Sequence, residues 1–185
     1  MIHEAESLLA RLHGYGVEFV IIGGICNVLH GVTLVTQDVD VCCRFVPDNL
    51  ERLENAVRNL HPVHRQTPQR IPFVLDERLA RELKNLYLNT DIGVIDCLGE
   101  VAGIGDYEAV LQASVPVTLS FGTCRMLSLD ALIRSKETMG REHDLAALRQ
   151  LRAIQERSGS GSALHGPGAT TGKLPPLPPG PTSDD

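Results

Sequence analysis

Apolar and polar positions alternate along residues 1–157 with two different periods. Leu8, Leu9, Leu12 and Tyr15 recur at helical spacing, and Gly14 and Gly16 end the stripe. VEFVII (17–22) is short, apolar and β-branched, the pattern of a buried strand. After Gly23-Gly24, the segment ICNVLHG reads as a short helix closed by Gly31, and DVDVCCRF (38–45) as the next strand. Asp48 and Glu51 have capping-box spacing and open a helix whose apolar face is Leu50, Leu53, Val57 and Leu60. A short helix is expected over 76–84. Two strands follow around a turn near Asp91–Gly93, then a short helix capped by Asp106. VPVTLSFGTCRML reads as a hairpin turning at Phe121-Gly122. Ser128 caps a helix carrying Leu129, Leu132 and Ile133, Gly140 breaks it, and Leu145, Leu148, Leu151 and Ile154 mark a last amphipathic helix. The sum is an α/β (α+β) domain, a mixed twisted sheet flanked by helices and ending in a C-terminal helical pair.

Composition changes that picture at one place. From Ser158 the chain is crowded with Gly, Pro and Ser, too poor in apolar residues to offset its ordering entropy. The division expected is therefore a domain over 1–157 and a disordered tail over 158–185, with LPPLPPGP inclined to polyproline II. The chain is 43% hydrophobic, yet no apolar run approaches the roughly 18 residues that cross a bilayer, so no membrane is expected and a cytoplasmic protein is the default. Five cysteines form no CxxC pair and read as small buried hydrophobes. The formal net charge of −6 makes a general nucleic-acid binder a poor reading. Arg65, Arg70, Arg78, Arg81 and Lys84 form a mildly basic stretch, read as a solvated face and as the place to look for acceptor contacts. His61 and His64, flanking Pro62, read as exposed loop imidazoles.

The chemistry concentrates in GGICNVLHGVTLVTQDVDV. A strand entering Gly23-Gly24 and then a helix is one way to bring backbone N–H groups against an anion. In Asp38-Val39-Asp40 the two carboxylates share one strand face while Val39 and Val41 point into the core. Such a pair repels unless a cation lies between, and Mg²⁺ favours one or two carboxylates completed by phosphate oxygens and water. Asp96, inside the apolar GVIDCLGEV, supplies a third carboxylate if its strand lies beside the first. Three carboxylates holding two ions about 4 Å apart would activate an attacking hydroxyl, with Asp96 suited to orient or deprotonate the acceptor.

The order Gly-Gly, thirteen residues, Asp-x-Asp and a later Asp among hydrophobics resembles the nucleotidyltransferase superfamily. It is similar to small prokaryotic members related to abortive-infection-type nucleotidyltransferase toxins, over roughly residues 15–155. LSLDALIRSKETMGREHDLAAL resembles the family segment that presents a Lys followed by an Arg and an Asp, here Lys136, Arg141 and Asp144. The resemblance implies a polymerase-β-like fold, Mg²⁺ (or Mn²⁺), and a nucleoside triphosphate such as ATP. Asp38, Asp40 and Asp96 would be catalytic and metal-binding, and Gly23, Gly24, Thr36, Lys136 and Arg141 would bind nucleotide and phosphate. The activity implied is transfer of a nucleoside monophosphate to an acceptor hydroxyl of a protein, a tRNA or a small molecule, with release of pyrophosphate. One departure stands out: VTLVTQ, just before Asp38, holds no basic residue where many relatives have one. Thr33, Thr36 and Gln37 can hydrogen-bond phosphate there but cannot neutralise it, and the sequence leaves open whether Arg44, directly after the strand, compensates. A catalytically silent nucleotide- or partner-binding module is thus the alternative, and either could belong to a toxin–antitoxin pair with an antitoxin-like partner.

Overall fold

The computed structural model describes residues 2–33, 36 and 38–161. In chain order, helix α1 (Ile2–Gly14) leads to strand β1 (Phe19–Ile21), helix α2 (Gly23–Leu29) and strand β2 (Asp38–Cys43). Helix α3 (Pro47–Val57), strand β3 (Val63–His64), helix α4 (Glu77–Glu82), and strands β4 (Asn85–Thr90) and β5 (Gly93–Leu98) follow. The last part comprises β6 (Glu100–Val101), β7 (Gly105–Asp106), α5 (Tyr107–Gln112), β8 (Ser114–Leu119), β9 (Gly122–Leu127), α6 (Leu129–Met139) and α7 (Leu145–Gly161). Seven strands form one mixed sheet in the order β3-β4-β5-β2-β1-β9-β8, and β6 and β7 pair separately.

The position of β2 follows from its alternation. Val39 and Val41 are fully buried, while Asp38 and Asp40 on the opposite face keep partial access to solvent. Burying each valine is worth roughly 1.5–3 kcal/mol. That outweighs the poor strand preference of two aspartates, on a scale spanning about 1 kcal/mol. β2 runs antiparallel to β1 and parallel to β5, so it lies in the middle of the sheet. α1 packs across β2, β5 and β9 and against α3, with Leu8, Leu9 and Leu12 buried as the helical stripe requires.

Two boundaries differ from the sequence reading. α3 begins at Pro47 after an extended Val46 that makes no side-chain cap, so Asp48 lies inside the first turn and is not the cap. Proline suits that first position because its missing N–H has no helical partner there anyway. α7 runs on through Ser158 to Gly161; the rest of the expected tail, 162–185, lies outside the described residues. Asp76, Asp106 and Ser128 each cap the following helix, accepting from the amides of Leu79, Ala109 and Ala131. No described helix is long and apolar enough to cross a membrane. All five cysteines are free and buried, as expected.

Candidate active site

Parallel pairing of β2 and β5 sets Asp40 directly beside Asp96 and Asp38 beside Val94. Side chains in register on one face of neighbouring strands stand about 5 Å apart at Cβ. The three carboxylates expected to converge therefore do share one region of the sheet. Asp96 is the most buried of them, 8% exposed, and its Oδ1 has no hydrogen-bond partner. Burial pushes its carboxyl up to about 6; Arg65 opposes that rise, while Asp40 and Asp38 add to it. Burial also raises the Asp40 carboxyl, against the lowering effect of the Gly24 amide; Asp38 raises it further, and Lys136 and Arg65 lower it.

The glycine pair is explained by space. α2 starts at Gly23, and the Gly24 amide donates to Asp40 Oδ2 at 3.2 Å. Gly23 has φ +58°, and a Cβ there would lie 2.0 Å from Asp40 Oδ2. A Cβ at Gly24 would lie 2.2 Å from Thr36 Oγ1. Both glycines are thus fixed by the close approach of α2 to the carboxylate strand, and Thr36 Oγ1 donates to the Asp38 carbonyl at 3.4 Å.

Gly23, Gly24, Thr36 and Asp40 form one wall of a cleft of about 300 Å³. Lys136, Arg141, His143 and Asp144 line another part, and Leu98, Val101, Leu127, Leu132 and Met139 give it an apolar portion. Asp38 and Asp96 are not among its lining residues, so Asp40 joins the cleft to the carboxylate cluster. Lys136 is buried and held by Asp144 at 2.5 Å, in a pair 6% and 8% exposed. Arg141, at the start of the short 3-10 turn 142–144, is exposed at the cleft rim.

Several expectations change. Arg44 is committed elsewhere, to Glu18 at 3.3 Å and Glu108 at 3.2 Å, and does not compensate for the uncharged segment before Asp38. His61 is exposed, as read from the sequence, and pairs with Asp91, whereas His64 lies half-buried in β3 and packs edge-on against Phe73. Arg65, read from sequence as part of a solvated face, instead reaches between Asp38 and Asp96 and bonds both. Its signal is long-range. The Arg65 amide donates to the Tyr87 carbonyl, extending the β3–β4 pairing that carries this loop back over β5. Among the described residues no group of three or more His, Cys, Asp or Glu is arranged to hold a metal ion unaided.

No protein-family model matches the sequence, and no curated protein does. Solved structures do share the architecture. The solution structure of the antibiotic-resistance factor ANT(2'')-Ia, an aminoglycoside nucleotidyltransferase, aligns with a TM-score of 0.51 at 13% identity, covering 86% of this chain and 84% of that one. The chain has a nucleotidyltransferase-like fold. Crystal structures of ANT(2'')-Ia with adenylyl-2''-tobramycin and of a Thermotoga maritima protein align more loosely. Their TM-scores are 0.49 and 0.45, at 17% and 15% identity. The alignments cover 86% and 83% of this chain, and 95% and 89% of those chains. In that nucleotidyltransferase-like frame β2 and β5 are neighbouring central strands, and the carboxylates sit on them side by side.

Proposed function

We propose that the chain is a metal-dependent nucleotidyltransferase, moving a nucleoside monophosphate from a nucleoside triphosphate to an acceptor hydroxyl and releasing pyrophosphate. The observation that carries this reading is the register of Asp40 against Asp96, with Asp38 two residues away, at the edge of a cleft that also holds Gly23, Gly24 and Lys136. The donor set fits Mg²⁺ or Mn²⁺. Asp96 Oδ1 is an orphaned buried oxygen, and a hard cation is ordinarily completed by phosphate oxygens and water instead of a closed protein cage. Asp38, Asp40 and Asp96 would hold it, and when bound it supplies charge neutralisation at the α-phosphate and the leaving group.

In this reading the acceptor oxygen bonds to the α-phosphorus as the bond to the bridging oxygen of the β-phosphate breaks, and the electron pair leaves with pyrophosphate. Asp96, beside the attacking hydroxyl in this reading, takes its proton. Lys136 and Arg141 receive the triphosphate in the cleft, Lys136 as a point charge and Arg141 as a fork. Thr36 and the amides near Gly24 supply hydrogen bonds where the segment before Asp38 supplies no charge.

Mg²⁺-dependent pyrophosphate release by the purified chain, compared with Asp38→Asn and Asp40→Asn, tests the assignment. Loss of release in both variants with unchanged thermal unfolding is expected. Turnover retained by either variant would sink the assignment. A second reading, a nucleotide-binding module without transfer, is favoured by the two cations already committed to acids, Arg65 to Asp38 and Asp96 and Lys136 to Asp144. Calorimetric nucleotide binding with no pyrophosphate released would select it.

A further inference from the structure

Arg65 is placed against the carboxylate face of the central strands. Its Nη1 lies 3.5 Å from Asp38 Oδ2, and its Nη2 bonds Asp96 Oδ2, so a single guanidinium spans both acids. The loop that carries it is anchored. Its amide bonds the Tyr87 carbonyl at 2.9 Å, and Thr67 Oγ1 donates to the His64 carbonyl at 3.1 Å. The side chain itself is one-third exposed. Asp96, by contrast, keeps its other oxygen buried and unbonded.

This arrangement has a physical rationale. Three carboxylates on adjacent strand positions repel, and burial adds to the cost of ionising Asp96 and Asp40. A guanidinium offers two donors in a fixed fork and remains charged at any working pH. It offsets one of the three charges without any ion being present. A divalent cation would satisfy the same two carboxylates, and cation and guanidinium repel at that separation, so each weakens the other's hold on Asp38 and Asp96.

We propose that Arg65 is a positioning residue that competes with the divalent cation for Asp38 and Asp96 and thereby sets the metal affinity of the site. The proposal rests on the reading of those acids as metal ligands given above. Metal loading is then opposed by the Arg65 guanidinium, so the apparent affinity for metal alone is kept low.

The test is Mn²⁺ binding to the full chain without nucleotide, followed by calorimetry and by the paramagnetic resonance signal of free Mn²⁺. Wild type, Arg65→Gln, Arg65→Lys, Asp40→Asn and Arg65→Gln/Asp40→Asn are compared. Arg65→Gln is expected to bind Mn²⁺ roughly tenfold more tightly than wild type, because a neutral side chain no longer repels the ion. Arg65→Lys, which keeps the charge but loses the fork, should stay within about threefold of wild type. Adding Asp40→Asn should abolish the gain. Mn²⁺ should also raise the melting temperature of Arg65→Gln more than that of wild type, a readout independent of turnover. Equal or weaker Mn²⁺ binding by a folded Arg65→Gln, with wild-type binding still lost on Asp40→Asn, overturns the proposal and leaves the metal site standing. Absence of any Asp40-dependent Mn²⁺ binding in either protein overturns both.

Discussion

Gly23 is the position where backbone geometry and the site are most tightly joined, and its replacement by alanine gives a sharp expectation. The φ of +58° costs an L-residue about 1 kcal/mol or slightly more. The added methyl would also stand 2.0 Å from Asp40 Oδ2, 2.5 Å from its Cγ and 2.6 Å from its Cβ. The carboxylate can rotate, but its Cβ is one bond from the backbone of a central strand, so α2 must shift as well. Overpacking of this kind costs about 1–3 kcal/mol. Together the two effects amount to about 3 kcal/mol, which lowers the melting temperature by roughly 6–12 °C in a domain of this size. Because Asp40 is the residue displaced, transfer activity should fall by about a hundredfold or more, the scale of a 1 Å misplacement. Gly14→Ala is the control: a Cβ there meets nothing within 4 Å, so stability should hold or rise slightly. Far-UV circular dichroism melts and pyrophosphate release measure the two effects separately. A Gly23→Ala protein with wild-type melting temperature and wild-type activity would refute the packing argument.

Two other outcomes follow from buried groups. Lys136→Ala strips the partner from buried Asp144 and should cost about 3–5 kcal/mol in urea denaturation, whereas Lys136→Met/Asp144→Leu should recover most of that loss. If Lys136 meets the triphosphate, the double variant stays inactive despite its recovered stability. Burial pushes the Cys26 and Cys42 thiols up to about 12 and Cys124 up to about 11, so they remain neutral in the folded chain where unfolded thiols ionise, near 9. Folded-state values above the unfolded ones mean that this stabilisation is present below pH 9 and is lost as pH rises from there toward 12. Native protein should therefore react slowly with an aromatic disulfide reagent even at pH 9, and denatured protein fast; rapid reaction of native thiols would contradict the burial.

The site was half legible from sequence, for reasons that lie in the range of the interactions. Alternation in Asp38-Val39-Asp40 is local, and an acid among Val94, Ile95, Cys97 and Leu98 announces a polar group on an otherwise apolar strand. Both readings needed only the pleat. That Asp40 and Asp96 are exact register partners depends on a parallel pairing between strands separated by α3 and the β3–β4 segment, which no local pattern encodes. Arg65 is the clearest miss. Its neighbours Arg70, Arg78 and Arg81 are exposed as a solvated face should be, and only the pairing of the two-residue β3 with β4 turns Arg65 toward the acids. β6 and β7, two residues each, were too short for any hydrophobic period to show. The Asp48 cap failed because Pro47, one residue earlier, starts α3 without needing a side-chain acceptor.

The most direct test of the account is to follow the label when the chain is incubated with Mg²⁺, a cell extract as acceptor source, and each of the four nucleoside triphosphates carrying phosphorus label at either the α or the γ position. The account predicts that for at least one nucleotide the α label becomes attached to an acceptor while the γ label appears in pyrophosphate, and that both signals vanish in Asp40→Asn. Transfer of the γ label to an acceptor, or no transfer of the α label from any nucleotide by folded wild-type protein, would contradict it.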